Sequence, residues 1–283
     1  MIKDSKITLG KVVLNVTNLQ LQSDFYQQVI GLSLLGQTSD SSQLGLADQP
    51  EVLVELRQAQ TPAEPTAGLF HLALLLPDRP ALATVFKHLL LNQVPLQGGS
   101  DHGYSEAIYL QDPEGNGIEL YADKPISQWD ILEDGRILGT TVALAADDLL
   151  AQASPSPQGY QLPPGTSMGH VHLSVPDAAT SSQRFQKVFG LGDKFSMPTA
   201  SFIASGTYHH HLAFNQWAGT DLAARQPGQA GLNHLTISFK QELDFLATKK
   251  RAALHQMTLV SDDQKTFLLQ DPDGIRIQIR LAE

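Results

Sequence analysis

The sequence predicts an α+β fold made of four copies of one unit, each a strand, a helix and then several more strands. Two observations carry this. Four short β-type runs open alike, at Lys11–Thr17, His71–Pro77, His170–Pro176 and His234–Lys240, and each leads into a helical pattern. Two later segments close alike, Leu110-Gln-Asp-Pro-Glu-Gly115 and Leu269-Gln-Asp-Pro-Asp-Gly274, with a strand resuming beyond each turn. The units fall at roughly 8–62, 68–123, 167–217 and 231–281. One such unit has an apolar sheet face that it cannot bury alone, so the units must pair.

Unit one runs from the Lys11 strand into Phe25-Tyr-Gln-Gln-Val-Ile-Gly31, where Gly31 suits a helix C-cap, and closes on Val52-Leu-Val-Glu-Leu56, which carries Glu55. Unit two opens at His71, and Asp78 just past that strand suits a helix N-cap. Its last hairpin is the most informative stretch of the chain. Ala107-Ile-Tyr-Leu110 is apolar and β-prone, Asp112-Pro-Glu-Gly-Asn-Gly117 is dense turn chemistry, and Ile118-Glu-Leu-Tyr121 resumes the strand. A carboxylate at Glu119 among apolar neighbours either faces solvent by alternation or is buried and paired. Residues 122–167 read as a semi-ordered linker with one short helix or strand; it holds Trp129, the apolar stretch Val142–Leu150 and the loop Ser154–Gly159. Unit three opens at His170, has Asp177 and Gly190 at helix-cap positions, and carries Tyr208-His-His-His-Leu-Ala-Phe214. Unit four opens at His234 and ends in a strand containing Gln278, seven residues past Asp271 as Glu119 is seven past Asp112.

Composition bounds the function. The chain of 283 residues is too long for one small core. A net charge of −10 without a basic run argues against nucleic acid and anionic membranes as partners. There are no cysteines, which removes disulfides and thiolate metal sites and fits a reducing compartment. Neither a signal peptide after Met1-Ile-Lys3 nor a stretch near the ~20 apolar residues of a spanning helix is visible, so a soluble, cytoplasmic protein is expected.

The order His102, Tyr109, Asp112-Pro-x-Gly115, Glu119 resembles the signature of extradiol ring-cleaving dioxygenases, departing from it where Ser100 replaces the usual Gly, Asn, Thr, Ile or Val. The four-unit pattern resembles the vicinal oxygen chelate (glyoxalase/bleomycin resistance/extradiol dioxygenase) superfamily, in its two-barrel catechol 2,3-dioxygenase form. The resemblance implies βαβββ units paired into two half-open barrels. In chain order it gives a glyoxalase-like domain over 1–123, a linker over 124–166 and a second such domain over 167–283.

In that family the metal ligands come from the opening position of a unit and from its last strand, as two His and one Glu around Fe(II). The third and fourth units supply them in the usual arrangement. Here that pair offers His170, His234 and Gln278 and lacks a carboxylate, and Phe267 stands where a Tyr belongs. Unit two instead holds His71, His102, Tyr109 and Glu119. The run before Phe214 matches the strand bearing the family's acid–base histidine, at His210. The resemblance therefore implies a metal site of His71, Glu119 and His170, with His210, Tyr109 and His102 in catalysis and no separate organic cofactor. His172 shares the face of His170 and could support the site; His209 and His211 could support it too, although strand alternation should turn them to the opposite face from His210. A complete site requires units two and three to face each other, leaving Lys11 to neutralise Glu55 in the other cup. His234 is then a relic or core residue, His88 and His255 sit on helical surfaces, and Asn215, Gln216 and Trp217 could line the pocket mouth.

The expected activity is extradiol cleavage of a small aromatic diol by O2 with Fe(II), or with Mn(II) or another divalent metal, in a chain that could form a homo-oligomer. Two alternatives stay open. One is a metal-dependent glyoxalase-like isomerase or thiol transferase using Glu55, His71 and Glu119. The other is a non-catalytic small-molecule-binding protein of the same fold.

Overall fold

Each unit condenses around its own strand pattern. In the computed structural model, which describes residues 4–155 and 159–282, β1 (Ile7–Val16) ends at Asn18, whose side chain accepts the Leu21 amide and starts α1 (Leu19–Phe25). A π-helical turn at Tyr26–Ile30 follows, and Gly31 stops it at a φ of +89°, a conformation open to a residue without a Cβ. Strands β2 (Ser33–Gln37), β3 (Ser41–Gly45) and β4 (Val52–Gln58) complete unit one. Unit two repeats the order with β5 (Gly68–Leu75), α2 (Arg79–Leu91), β6 (Leu96–Asp101), β7 (Ser105–Gln111) and β8 (Gly117–Asp123). The expected cap is present: the Asp78 carboxylate accepts the Ala81 amide.

The connection carries more structure than the single short element expected. It holds a 3₁₀ turn at Ile126–Gln128, the paired strands β9 (Asp130–Ile131) and β10 (Ile137–Leu138), then β11 (Val142–Ala143) and α3 (Ala146–Leu150). The Trp129 indole N–H donates to the Lys124 carbonyl, and β11 extends the sheet edge at β6. The β11–β6 pairing joins residues some forty positions apart, so local pattern could not signal it. Residues 156–158 of the Ser154–Gly159 loop, Pro157 among them, and Met1–Lys3 lie outside the described residues. Unit three is β12 (Ser167–Ser174), α4 (Ala178–Phe189), β13 (Gly192–Met197), β14 (Ala200–Ala204) and β15 (Leu212–Asn215), with Asp177 and Gly190 capping α4 as expected. Unit four is β16 (Gly231–Phe239), α5 (Glu242–Leu254), β17 (Thr258–Asp262), β18 (Thr266–Gln270) and β19 (Arg276–Leu281).

The units join across the connection. A nine-stranded sheet runs β11-β6-β7-β8-β5-β12-β15-β14-β13, so units two and three share it through the antiparallel β5–β12 seam. An eight-stranded sheet, β17-β18-β19-β16-β1-β4-β3-β2, joins units one and four through β1–β16. This is the pairing that a complete ligand set demands. Each sheet thus takes one unit from either side of residues 124–166.

Strand alternation divides the faces. Leu72 and Leu74 of β5, Ile118 and Leu120 of β8, and Val171 and Leu173 of β12 join one continuous core with Val12, Leu14, Leu235 and Ile237 of the other sheet. The opposite face of β5, β8 and β12 therefore presents His71, Glu119, Tyr121, His170 and His172. One helical histidine departs from expectation. His88 is buried, stacked on Tyr160 with ring centroids 4.5 Å apart and its Nε2 3.2 Å from the Val29 carbonyl, because α2 turns that face inward; His255 is partly exposed. No helix among the described residues is long and apolar enough to cross a membrane.

Candidate metal centre

The turn after β7 fixes the last strand of unit two. Asp112 accepts the amides of Glu114 and Asn116 on one oxygen and the Asn116 side-chain amide on the other. Gly117 lies opposite His71 in the parallel β5–β8 ladder, and a Cβ there would overlap the Phe70 carbonyl. Glu119 follows two residues later on the same face. Across the seam, β12 bulges between Met168 and His170, and Gly169 leaves room for the Tyr121 hydroxyl that any Cβ would displace.

His71, Glu119 and His170 consequently converge. Their potential ligand atoms all lie within 4.8 Å of one another, and all three residues are buried. Glu119 Oε2 is 3.0 Å from His71 Nε2 and 3.1 Å from His170 Nε2, and the two nitrogens are 3.3 Å apart. Burial alone would raise the Glu119 pKa, but the two imidazoles outweigh it and hold the carboxyl well below its usual range. Burial pushes His170 down to about 4 against the pull of Glu119, favouring the neutral ring that can offer a lone pair. Two imidazole nitrogens and one carboxylate oxygen on one face form a donor set suited to a divalent cation.

The other predicted residues surround this set. The hydroxyl of Tyr109, which pairs with Glu119 across β7–β8, is 2.7 Å from His102 Nε2, while His102 Nδ1 donates to the Thr140 carbonyl at 3.0 Å. Burial, then the Glu119 charge, keeps the Tyr109 phenol protonated. His172 faces His71, ring centroids 5.0 Å apart, but its Nε2 accepts from the Asn215 amide at 3.0 Å, so it stands beside the ligand set rather than in it. His210 packs on His170 at 4.2 Å between centroids, and burial drives its pKa well down.

The alternation expected around His210 fails. Residues 205–211 precede β15 and are not strand, so His209 turns beside His210 with the two Nδ1 atoms 2.8 Å apart. His211 does point away: its Nδ1 accepts the Ser205 amide, and its Nε2 lies 3.4 Å from Ser5 Oγ. Of the suggested mouth residues, Trp217 lines the cavity, Asn215 is fully buried and orients His172, and the side-chain Oε1 of Gln216 accepts the Ala178 amide at the start of α4. Sequence reasoning missed Asp123, Tyr104 and Phe70. Asp123 could have been found, four residues after Glu119 on the same face of β8.

The second cup is different. Lys11 pairs with Glu55, whose other oxygen accepts from Arg57 Nε at 2.6 Å. His234 is buried with its Nδ1 2.7 Å from Asn233 Oδ1, and Gln278 accepts weakly from Thr236 at 3.4 Å. The set Glu55, His71 and Glu119 is not brought together, because Glu55 lies in the eight-stranded sheet and the other two in the nine-stranded one.

A cavity of about 960 Å³ opens over the first cup. Phe70, Phe195, Phe202, Met197 and Trp217 form its apolar wall, and no Lys or Arg lies among the described residues that line it. Comparison with known proteins places this architecture. Residues 8–120 match the family described as Glyoxalase/Bleomycin resistance protein/Dioxygenase superfamily. A Bacillus subtilis protein named catechol-2,3-dioxygenase is 33% identical over 272 residues, covering 93% of each chain. Among solved structures, a candidate dioxygenase from Bacillus subtilis superimposes with a TM-score of 0.65 at 14% identity, covering 99% of this chain and 86% of that one. Glyoxalase I from Zea mays gives 0.58 at 15% identity, covering 98% and 93%.

Proposed function

The chain belongs to the glyoxalase/bleomycin resistance protein/dioxygenase superfamily, and from that premise we propose that it is an extradiol dioxygenase, cleaving the ring of a catechol-like diol with O2. The convergence of His71, Glu119 and His170 at the foot of an aromatic cavity, with Tyr109, His102 and His210 beside them, carries this reading. These three side chains would hold Fe(II), with Mn(II) the second choice. When bound, the metal would lower the pKa of the diol and mediate electron flow between ring and dioxygen.

The remaining chemistry belongs to the protein. His210 is neutral and buried at the cavity wall, so it can take a proton from a diol hydroxyl and return one later. Tyr109 keeps its phenolic proton and donates it to His102 Nε2, whose Nδ1–H is held by the Thr140 carbonyl, so a lone pair on the phenol oxygen is left to accept from a hydroxyl of the substrate. The apolar wall holds the ring by its faces and excludes water from the reacting atoms. A cavity of about 960 Å³ exceeds the needs of an unsubstituted ring, and its wall has no cation to pair with a carboxylate. The favoured substrate is therefore a diol with a neutral, apolar substituent. Oxygen uptake by Fe(II)-loaded protein tests this: phenyl- or alkyl-substituted catechols should give higher kcat/KM than catechol, and carboxylated ones lower. Hemithioacetal turnover without oxygen uptake would instead indicate a glyoxalase-like isomerase, and binding without turnover a sequestering protein.

A further inference from the structure

His210 does not stand alone. Its Nδ1 lies 2.8 Å from His209 Nδ1, and His209 Nε2 lies 2.9 Å from Asp123 Oδ1. The chain of contacts runs from the end of β8 in unit two to the histidine run of unit three. The rings are held in place by packing: His209 stacks on Tyr104 with centroids 4.4 Å apart and an interplanar angle of 16°, and it packs against Tyr208 at 4.0 Å and Trp129 at 5.3 Å.

Hydrogen-bond polarity along this chain has one consistent solution when both rings are neutral, whereas a His209 carrying protons on both nitrogens would donate from Nδ1 and leave the His210 proton on Nε2. A carboxylate only accepts, so His209 must carry its proton on Nε2. A neutral His209 then has a lone pair at Nδ1 and accepts. The 2.8 Å contact therefore requires the proton on His210 Nδ1, which leaves the lone pair of a neutral His210 on Nε2. Among the described residues that Nε2 has no hydrogen-bond partner, and His210 lines the cavity. We propose that Asp123 and His209 are positioning residues that fix the tautomer and ring orientation of His210, so that its Nε2 lone pair is presented to the substrate. This rests on the reading of His210 as the group that takes the diol proton. In that step the substrate O–H bond breaks, the proton forms an N–H bond at Nε2, and the Nδ1–H bond to His209 stays in place.

The test uses a substitution that keeps shape and changes polarity. In Asp123→Asn the amide can donate to His209 Nε2. That would reverse the chain, place a proton on His209 Nδ1 directed at His210 Nδ1, and move the His210 proton to Nε2. The expected result is a fall in kcat of roughly 10²–10⁴-fold with little change in KM, the scale of a lost or mis-set proton-transfer group. Metal content should stay at the wild-type value, since neither residue belongs to the ligand set. Asp123→Glu, which restores an anionic acceptor, should recover much of kcat. Nitrogen-15 NMR of the histidine side chains in the full chain, free of metal or loaded with zinc, gives a readout independent of turnover. Wild-type His210 should show a protonated Nδ1 and a bare Nε2, exchanged in Asp123→Asn. A wild-type His210 protonated on Nε2, or an unchanged kcat in Asp123→Asn, overturns the proposal. Absence of ring cleavage by wild-type protein with every diol would instead defeat the reading of the site, while the NMR result still decides the tautomer.

Discussion

Glu119→Gln separates the metal reading from any structural role of the triad. Glu119 is 3% exposed and supplies the single carboxylate of the converging set, 3.0 and 3.1 Å from the two imidazole nitrogens. Replacing it with a neutral isostere removes the one negative charge opposite a buried divalent cation. Breaking a buried charge pair costs about 3–5 kcal/mol, and each 1.4 kcal/mol is tenfold, so metal affinity should fall by roughly two to four decades. Thermal unfolding should report the same loss. Metal at about 1,000 times its Kd stabilises the native state by ~4 kcal/mol, which for a chain of this size raises Tm by roughly 8–16 °C. At the same metal concentration the variant should gain little. Without metal the effect is smaller, because only the pairing of Glu119 with the two imidazoles is lost. Gln keeps the shape and is spared the desolvation cost that offsets part of that pairing, so the metal-free variant should unfold only a few degrees below the metal-free parent. Chelator competition gives the affinity and calorimetry gives both Tm values. Wild-type metal affinity in Glu119→Gln, together with loss of activity in Gln278→Glu, would show that the working site lies in the other cup.

Elemental analysis of reconstituted protein should give one equivalent of metal per chain, because the described residues contain one converging ligand set; two equivalents would contradict it. Lys11→Met should destabilise the fold by about 1–3 kcal/mol in urea titrations by leaving one oxygen of the buried Glu55 unpaired, with Arg57 alone on the other. Burial tends to raise the Glu55 pKa, but hydrogen bonds from Lys11 and Arg57 leave it lowered, so this stabilisation exists above the unfolded value near ~4.3 and should vanish as pH falls through the folded one. Asp271 has the opposite sign. Burial and then Asp273 push it up to about 7, so its contribution is fully present below the unfolded value of ~3.9 and lost as pH rises through the folded one. The loss is roughly 4 kcal/mol at most, and Asp271→Asn, which can still accept the Ile275 amide, should flatten the pH dependence of the urea midpoint between pH 4 and 8.

Much of this was legible because the fold repeats. Asp78, Asp177, Gly31 and Gly190 are caps at matching positions in different units, and each does the local job its residue type suits. The ligand set was legible for a chemical reason: unit four lacks a carboxylate where unit two has one, and only pairing across the linker brings two histidines to Glu119. The misses share a cause. His88 lies inward because the Tyr160 segment covers α2, and His209 faces the site because the backbone before β15 leaves the strand. Both depend on tertiary contacts that periodicity does not encode. Trp129 likewise anchors a linker whose sequence showed only one short helix or strand, and it reaches the His209 ring.

The division of the ligand set between units has an energetic consequence. His71 and Glu119 come from unit two and His170 from unit three, with Glu119 and His170 51 positions apart in the chain. Neither unit alone presents all three, and the seam that aligns them is the β5–β12 ladder. A cation held there binds only the docked arrangement, so its binding free energy adds to that of the seam. The other cup meets the same geometric need without an ion, since Lys11 of unit one supplies a positive charge to Glu55 where the first cup has a histidine at the matching position. That pair is complete within unit one, so it gives no added strength to the β1–β16 seam, which must rest on its ladder and its apolar face. Removing metal should therefore loosen the β5–β12 seam selectively. Hydrogen exchange at the amides of β5 and β12 should quicken in metal-free protein, while the amides of β1 and β16 keep their protection.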